Sequence, residues 1–152
     1  MRRYIQILIF LFLVSSPTKL LSQISVTNYS IFIFGLNTNQ EKRISGDLKV
    51  FTYLYGSELQ TELGLFYNFK PKDYHRFSIG LGVNLYPFAG FDHIYALTIP
   101  IQLEVFPLQE FKRLSLVYEL SPALYVESNI GIRNLFGIRY TFGRRSKEEK
   151  TE

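Results

Sequence analysis

The alternation from Asn129 to Gly143 constrains this chain more than any other feature of it. One parity reads Ile130, Ile132, Asn134, Phe136, Ile138, Tyr140 and Phe142, and the other reads Gly131, Arg133, Leu135, Gly137, Arg139 and Thr141. A repeat of two residues belongs to a β-strand, whose successive side chains point to opposite faces. The second parity lacks the dense long charged side chains that usually cover the wet face of a soluble sheet. Glycines and a small hydroxyl sit between its two arginines, which fits a strand with hydrocarbon on one side and a narrow polar lumen on the other.

The same alternation recurs along the chain, separated by turn-forming residues: Ile24 to Leu36, Arg43 to Tyr55, Glu58 to Phe69, Arg76 to Tyr86, Tyr95 to Phe106 and Leu114 to Val126. Ile24 to Leu36 is the least regular, with Phe32 and Phe34 on one parity and Ile31 and Ile33 on the other. Gly56-Ser57 reads as a tight hairpin turn, and the segments around Pro71, Pro87 and Pro107 as loops. Pro100 and Pro122 fall inside strands and remove a ladder donor, so a bulge or a place near the sheet rim is expected at each. These are seven strand-like stretches, whereas a bacterial barrel needs an even number. The expected fold is therefore all-β: a closed antiparallel up-and-down transmembrane β-barrel of eight strands spanning residues 24–143.

From Leu59 onward the apolar parity of every strand carries no charge, and all strand charges fall on the other parity. Volume decides which parity is inside. The interior of a small eight-stranded barrel holds on the order of a dozen side chains in layers, and the bulky parity would overfill it. The bulky residues then face outward, and the small polar parity faces in. Charges confined to such a lumen must pair, because an unpaired buried ion is costly. The expected network joins Glu62, Glu104 and Glu119 with Arg76, Arg133 and Arg139. Tyr67, Phe69, Phe77, Tyr95, Tyr140 and Phe142 cluster towards strand ends on the outward parity, as interfacial aromatic girdles do.

The N-terminus indicates the compartment. Arg2 and Arg3 precede an apolar run from Tyr4 to Val14, and a polar stretch leads to Ser22. That order is that of a secretory signal peptide over residues 1–22, cleaved near Ser22, and the run falls short of the roughly 20 apolar residues of a spanning helix. The chain holds no cysteine, so it has no disulfide framework, no thiolate metal site and no lipidated N-terminal Cys. The formal charge of +4 is spread over strands and turns and does not form a nucleic-acid footprint. Residues 144–152 are a charged tail.

Gly137-Ile138-Arg139-Tyr140-Thr141-Phe142 resembles the C-terminal signal of outer-membrane β-barrels, a glycine followed at fixed spacing by two outward apolar or aromatic residues. Here the tail follows it. The segment Leu97-Thr98-Ile99-Pro100-Ile101-Gln102-Leu103 is similar to the Ile-Pro-apolar strand of small porin-like outer-membrane barrels of the Bacteroidetes type. The resemblance implies a Gram-negative outer-membrane location, insertion by the outer-membrane assembly machinery through Gly137, Tyr140 and Phe142, and contact with outer-membrane lipid. It carries over no catalytic residue.

Candidates for chemistry are few. His75 and His93 lie at loop edges, with Asp73 and Asp92 nearby and Ser78 three residues beyond His75. A Ser/His/acid hydrolase could be assembled from such residues, but the His-x-Ser pattern of small barrel deacylases is missing. No catalytic residue, cofactor or metal site is expected. The expected role is structural or accessory, with a mostly plugged lumen. The alternatives are a narrow porin-like channel and a secreted soluble β-barrel that binds an apolar ligand.

Overall fold

The computed structural model describes residues 23–30, 32–38, 40–52, 59–70, 72–87, 94–108, 110–126 and 129–143. The expected signal segment, the Gly56-Ser57 turn and the charged tail lie outside the described residues. Nine strand segments follow in order: β1 (Gln23–Ser30), β2 (Ile33–Asn37), β3 (Ile44–Phe51), β4 (Gln60–Asn68), β5 (His75–Leu85), β6 (Ile94–Thr98), β7 (Ile101–Val105), β8 (Leu114–Tyr125) and β9 (Ile130–Gly143). Neighbours in sequence pair antiparallel around the wall, and β9 returns to pair with β1. β6 and β7 share one place in it, because both pair with β5 and both with β8. The result is a closed eight-stranded antiparallel barrel.

The eighth strand comes from the irregular N-terminal stretch, which is not one strand but two. β1 and β2 form a hairpin whose register shifts between Asn28 and Ser30, with Ser30 opposite Ile33. Tyr29 continues the inward parity of Gln23, Ser25 and Thr27 and is buried in the barrel. The reversal is short and is spelled with Ile31 and Phe32 instead of Gly, Asn or Pro, so it carries no turn signature.

Neither proline makes a bulge; Pro122 lies near one end of β8, whereas Pro100 stands mid-wall opposite the centre of β5. The ladder to β5 keeps one register across Pro100, from Gly82 opposite Thr98 to Ile79 opposite Ile101. Pro122 stands opposite Ile132 in a ladder to β9 that keeps one register throughout. Each proline keeps its carbonyl in the ladder: the Gly80 N–H donates to the Pro100 carbonyl at 2.8 Å, and the Ile99 N–H donates to the Pro122 carbonyl at 3.0 Å. The only loss is the N–H that proline lacks. The second register shift lies instead between Asn84 and Leu85, against β6.

Side-chain direction follows the alternation. The inward parity includes Thr27, Asn37, Lys49, Glu62, Ser78, Thr98, Gln102, Ser121 and Arg139, all buried, while Leu65, Leu81, Leu97, Ile132, Phe136 and Ile138 stand exposed on the outer wall. Inward glycines give space to aromatic rings. A Cβ on Gly80 would lie 2.7 Å from the Leu65 carbonyl oxygen and 3.0 Å from the Phe66 ring, and one on Gly137 would lie 2.6 Å from the Asn28 carbonyl oxygen and 3.0 Å from the Tyr29 ring. Tyr29 packs with Val117 and Leu135 as the one apolar cluster among the described buried residues. The other buried apolar residues, Phe51, Phe66, Ala96, Phe106 and Ala123, are set among polar and charged side chains.

Candidate functional site

The candidate site is the charged interior. Lys49 on β3 and Glu62 on β4 are directly opposed in the ladder, and Lys49 Nζ lies 2.6 Å from Glu62 Oε1. Two residues earlier on the same face, Asp47 Oδ2 is 3.0 Å from that ammonium. From the opposite wall β8 brings Glu119 Oε1 to 2.9 Å of it. Arg133 on β9 bridges the same two glutamates, at 2.6 Å to Glu62 Oε2 and 3.5 Å to Glu119 Oε1. The Lys49 ammonium also sits 5.5 Å from the centre of the Phe66 ring, within range of a favourable cation–π contact.

A second cluster lies nearer the end of the barrel that carries Gln23 and Gly143. Arg76 and Glu104 are opposed on β5 and β7 and approach to 3.3 Å. Arg139 on β9 reaches Glu104 at 3.4 Å, and the Ser115 hydroxyl donates to the other carboxylate oxygen of Glu104. Gln40, between β2 and β3, turns into the barrel and accepts from Arg139 at 2.7 Å and from Arg76 at 3.3 Å. Phe106 is buried, its ring 5.6 Å from the Arg76 guanidinium. The hollow among Gln23, Gln40, Arg76, Glu104 and Phe106 measures about 30 Å³, room for on the order of one water.

Gln102 joins the two clusters. Its amide oxygen accepts from Arg139 at 3.1 Å, and its amide nitrogen donates to Glu119 and to the Tyr29 hydroxyl, each at 3.1 Å. A second path runs along the other wall: Arg139 Nε donates to Thr27 Oγ1, Thr27 donates to Asn37, and Asn37 donates to Asp47. Asp47, Glu62, Glu104 and Glu119 thus meet Lys49, Arg76, Arg133 and Arg139, and the formal charges cancel. Buried hydrogen-bonded ion networks of this kind help to define one register.

All six residues expected to form the network are in it. Lys49, Asp47 and Gln102 are additional members. The inward parity of β3 was the available signal for Lys49 and Asp47. Gln102 shares its parity with Glu104, but an amide stands out only once its two neighbours are known. Tyr95 departs from the expected outward girdle. The shift at Asn84/Leu85 turns its hydroxyl towards Gln60 at 3.2 Å and Asn84 at 3.5 Å, with the ring 4.4 Å from Tyr86 and 6.4 Å from Tyr125. These rings cover the end of the interior opposite Gln40. Tyr67, Phe69 and Phe77 form a chain of contacts on the outer wall, as do Phe111, Tyr140 and Phe142.

His75 is exposed on the outer face, whereas Ser78 is buried inside and donates to Asn68 Oδ1 at 2.7 Å. The wall separates the two, so they form no dyad. His93 and Asp92 lie outside the described residues. No protein-family model, curated protein or solved structure matches this chain.

Proposed function

We propose that this protein is an integral outer-membrane β-barrel with a plugged polar interior, acting as a structural or accessory component without catalysis. The observation that carries this reading is the sorting of charge: all Asp, Glu, Lys and Arg residues within the described strands are on the inward parity, while the outer wall exposes Leu81 at 70%, Ile130 at 78% and Ile132 at 68%. Exposed apolar surface that encircles a barrel greatly exceeds the isolated patches of a soluble monomer, and lipid is the solvent that accepts it. The paired interior argues against a conducting pore, whose lining must offer ions unneutralised groups along an open path. The resemblance of the Gly137–Phe142 segment to an assembly signal supports insertion by the outer-membrane machinery.

Two measurements test this reading. The mature chain recovered from outer membranes is expected to migrate faster on a gel unheated than boiled, as a closed barrel does. In a planar bilayer it is expected to give no stable ohmic steps. Recovery in the detergent-free soluble fraction would reject the membrane location, and regular conductance steps would reject the plug.

A further inference from the structure

One end of the barrel gathers basic residues in a regular way. At the end carrying Gln23 and Gly143, three connections join β2 to β3, β4 to β5 and β7 to β8. Each holds two basic residues and one acid: Lys42 and Arg43 with Glu41, Lys70 and Lys72 with Asp73, and Lys112 and Arg113 with Glu110. Five of those basic side chains are exposed and Lys112 is half-buried. The sequence between β3 and β4, between β5 and β6 and between β8 and β9 holds no Lys or Arg. The charges of the described interior cancel, so the excess of positive charge at this end resides in its connections.

The basic rim is also tied to the wall. The Asn68 N–H donates to the Arg43 carbonyl, and the Thr141 N–H donates to the Arg113 carbonyl. These bonds set two of the basic pairs directly beyond the outward aromatics Tyr67 and Phe69 on one side and Tyr140 and Phe142 on the other. A cation placed just past an aromatic, apolar band lies at the depth of lipid phosphates.

We infer that the rim formed by Lys42, Arg43, Lys70, Lys72, Lys112 and Arg113 is a docking surface for the headgroups of anionic glycerophospholipids in the leaflet facing that end. This rests on the membrane reading above. Three basic pairs distributed around the circumference suit a ring of separate lipids better than one multivalent ligand.

The test uses the full mature chain inserted into phosphatidylcholine vesicles and spin-labelled lipid probes. At about 0.1 M salt the barrel-associated, motionally restricted signal is expected to favour phosphatidylglycerol over phosphatidylcholine by about threefold. In about 1 M salt, where the screening length falls to roughly 3 Å, the preference should approach unity. The same loss is expected when all six residues are changed to Gln in a variant that retains heat-modifiable migration. If the chain inserts and restricts both lipids equally, the rim assignment is overturned. A preference that survives both high salt and the six changes overturns it as well. Absence of any restricted lipid signal instead rejects the membrane reading on which the inference rests.

Discussion

Lys49 Nζ and Glu62 Oε1 are 2.6 Å apart across one β3–β4 rung, and neither side chain has any solvent exposure. The same ammonium serves Asp47 and Glu119. Removing it therefore leaves three carboxylates near one another in a site with little means to solvate them, which is a different loss from that of one surface pair.

Lys49→Met is expected to destabilise the folded barrel by about 3–5 kcal/mol, the usual cost of orphaning a buried charge. Glu62→Gln alone should cost less, because its amide can still accept from Arg133 or Lys49. In the double variant the penalties should be markedly sub-additive. Urea unfolding in detergent micelles measures all three; strict additivity would show that the pair is not coupled.

On the outer wall, Leu81 stands opposite Leu65 in the middle of β5 and is largely exposed. Leu81→Arg should cost about 2–4 kcal/mol for a barrel unfolding from a bilayer. An exposed position on a soluble protein would tolerate the change within about 0.5 kcal/mol. Unfolding from lipid vesicles distinguishes the two, and tolerance of the arginine would reverse the assigned faces.

At the β1–β9 seam, a Cβ on Gly137 would meet the Asn28 carbonyl oxygen and, at 2.8 Å, the Tyr29 Cα. Both are backbone atoms and cannot rotate away. Gly137→Ala should cost about 1–3 kcal/mol by overpacking and reduce the fraction of heat-modifiable barrel. Gly46→Ala is the control, since its nearest contacts, on Thr38, are at 3.8 Å. Equal behaviour of the two variants in gel migration would argue against the close seam.

Gln40 is held over the interior by two guanidinium groups. Gln40→Ala removes one acceptor from each, leaving Glu104 to serve both, and is expected to cost about 1–3 kcal/mol. The thermal transition should fall accordingly. Planar-bilayer recordings should remain free of regular steps, because Tyr29, Gln102 and the Lys49 cluster still fill the interior. Steps appearing in this variant alone would identify Gln40 as the seal.

The all-β class, the closed barrel, the inward and outward parity of most strands and the six charged residues that meet inside are legible in the order of residues alone. These follow from a period of two and from the cost of charge at low dielectric, both of which are readable one strand at a time. The turn between β1 and β2, the inward turn of Tyr95, the undisturbed registers at Pro100 and Pro122 and the central place of Lys49 emerge once the wall closes. Register shifts and closure depend on what lies across the ladder. Lys49 becomes a hub because barrel closure brings β8 opposite β3, so that Glu119, far away in sequence, reaches the ammonium already held between Asp47 and Glu62.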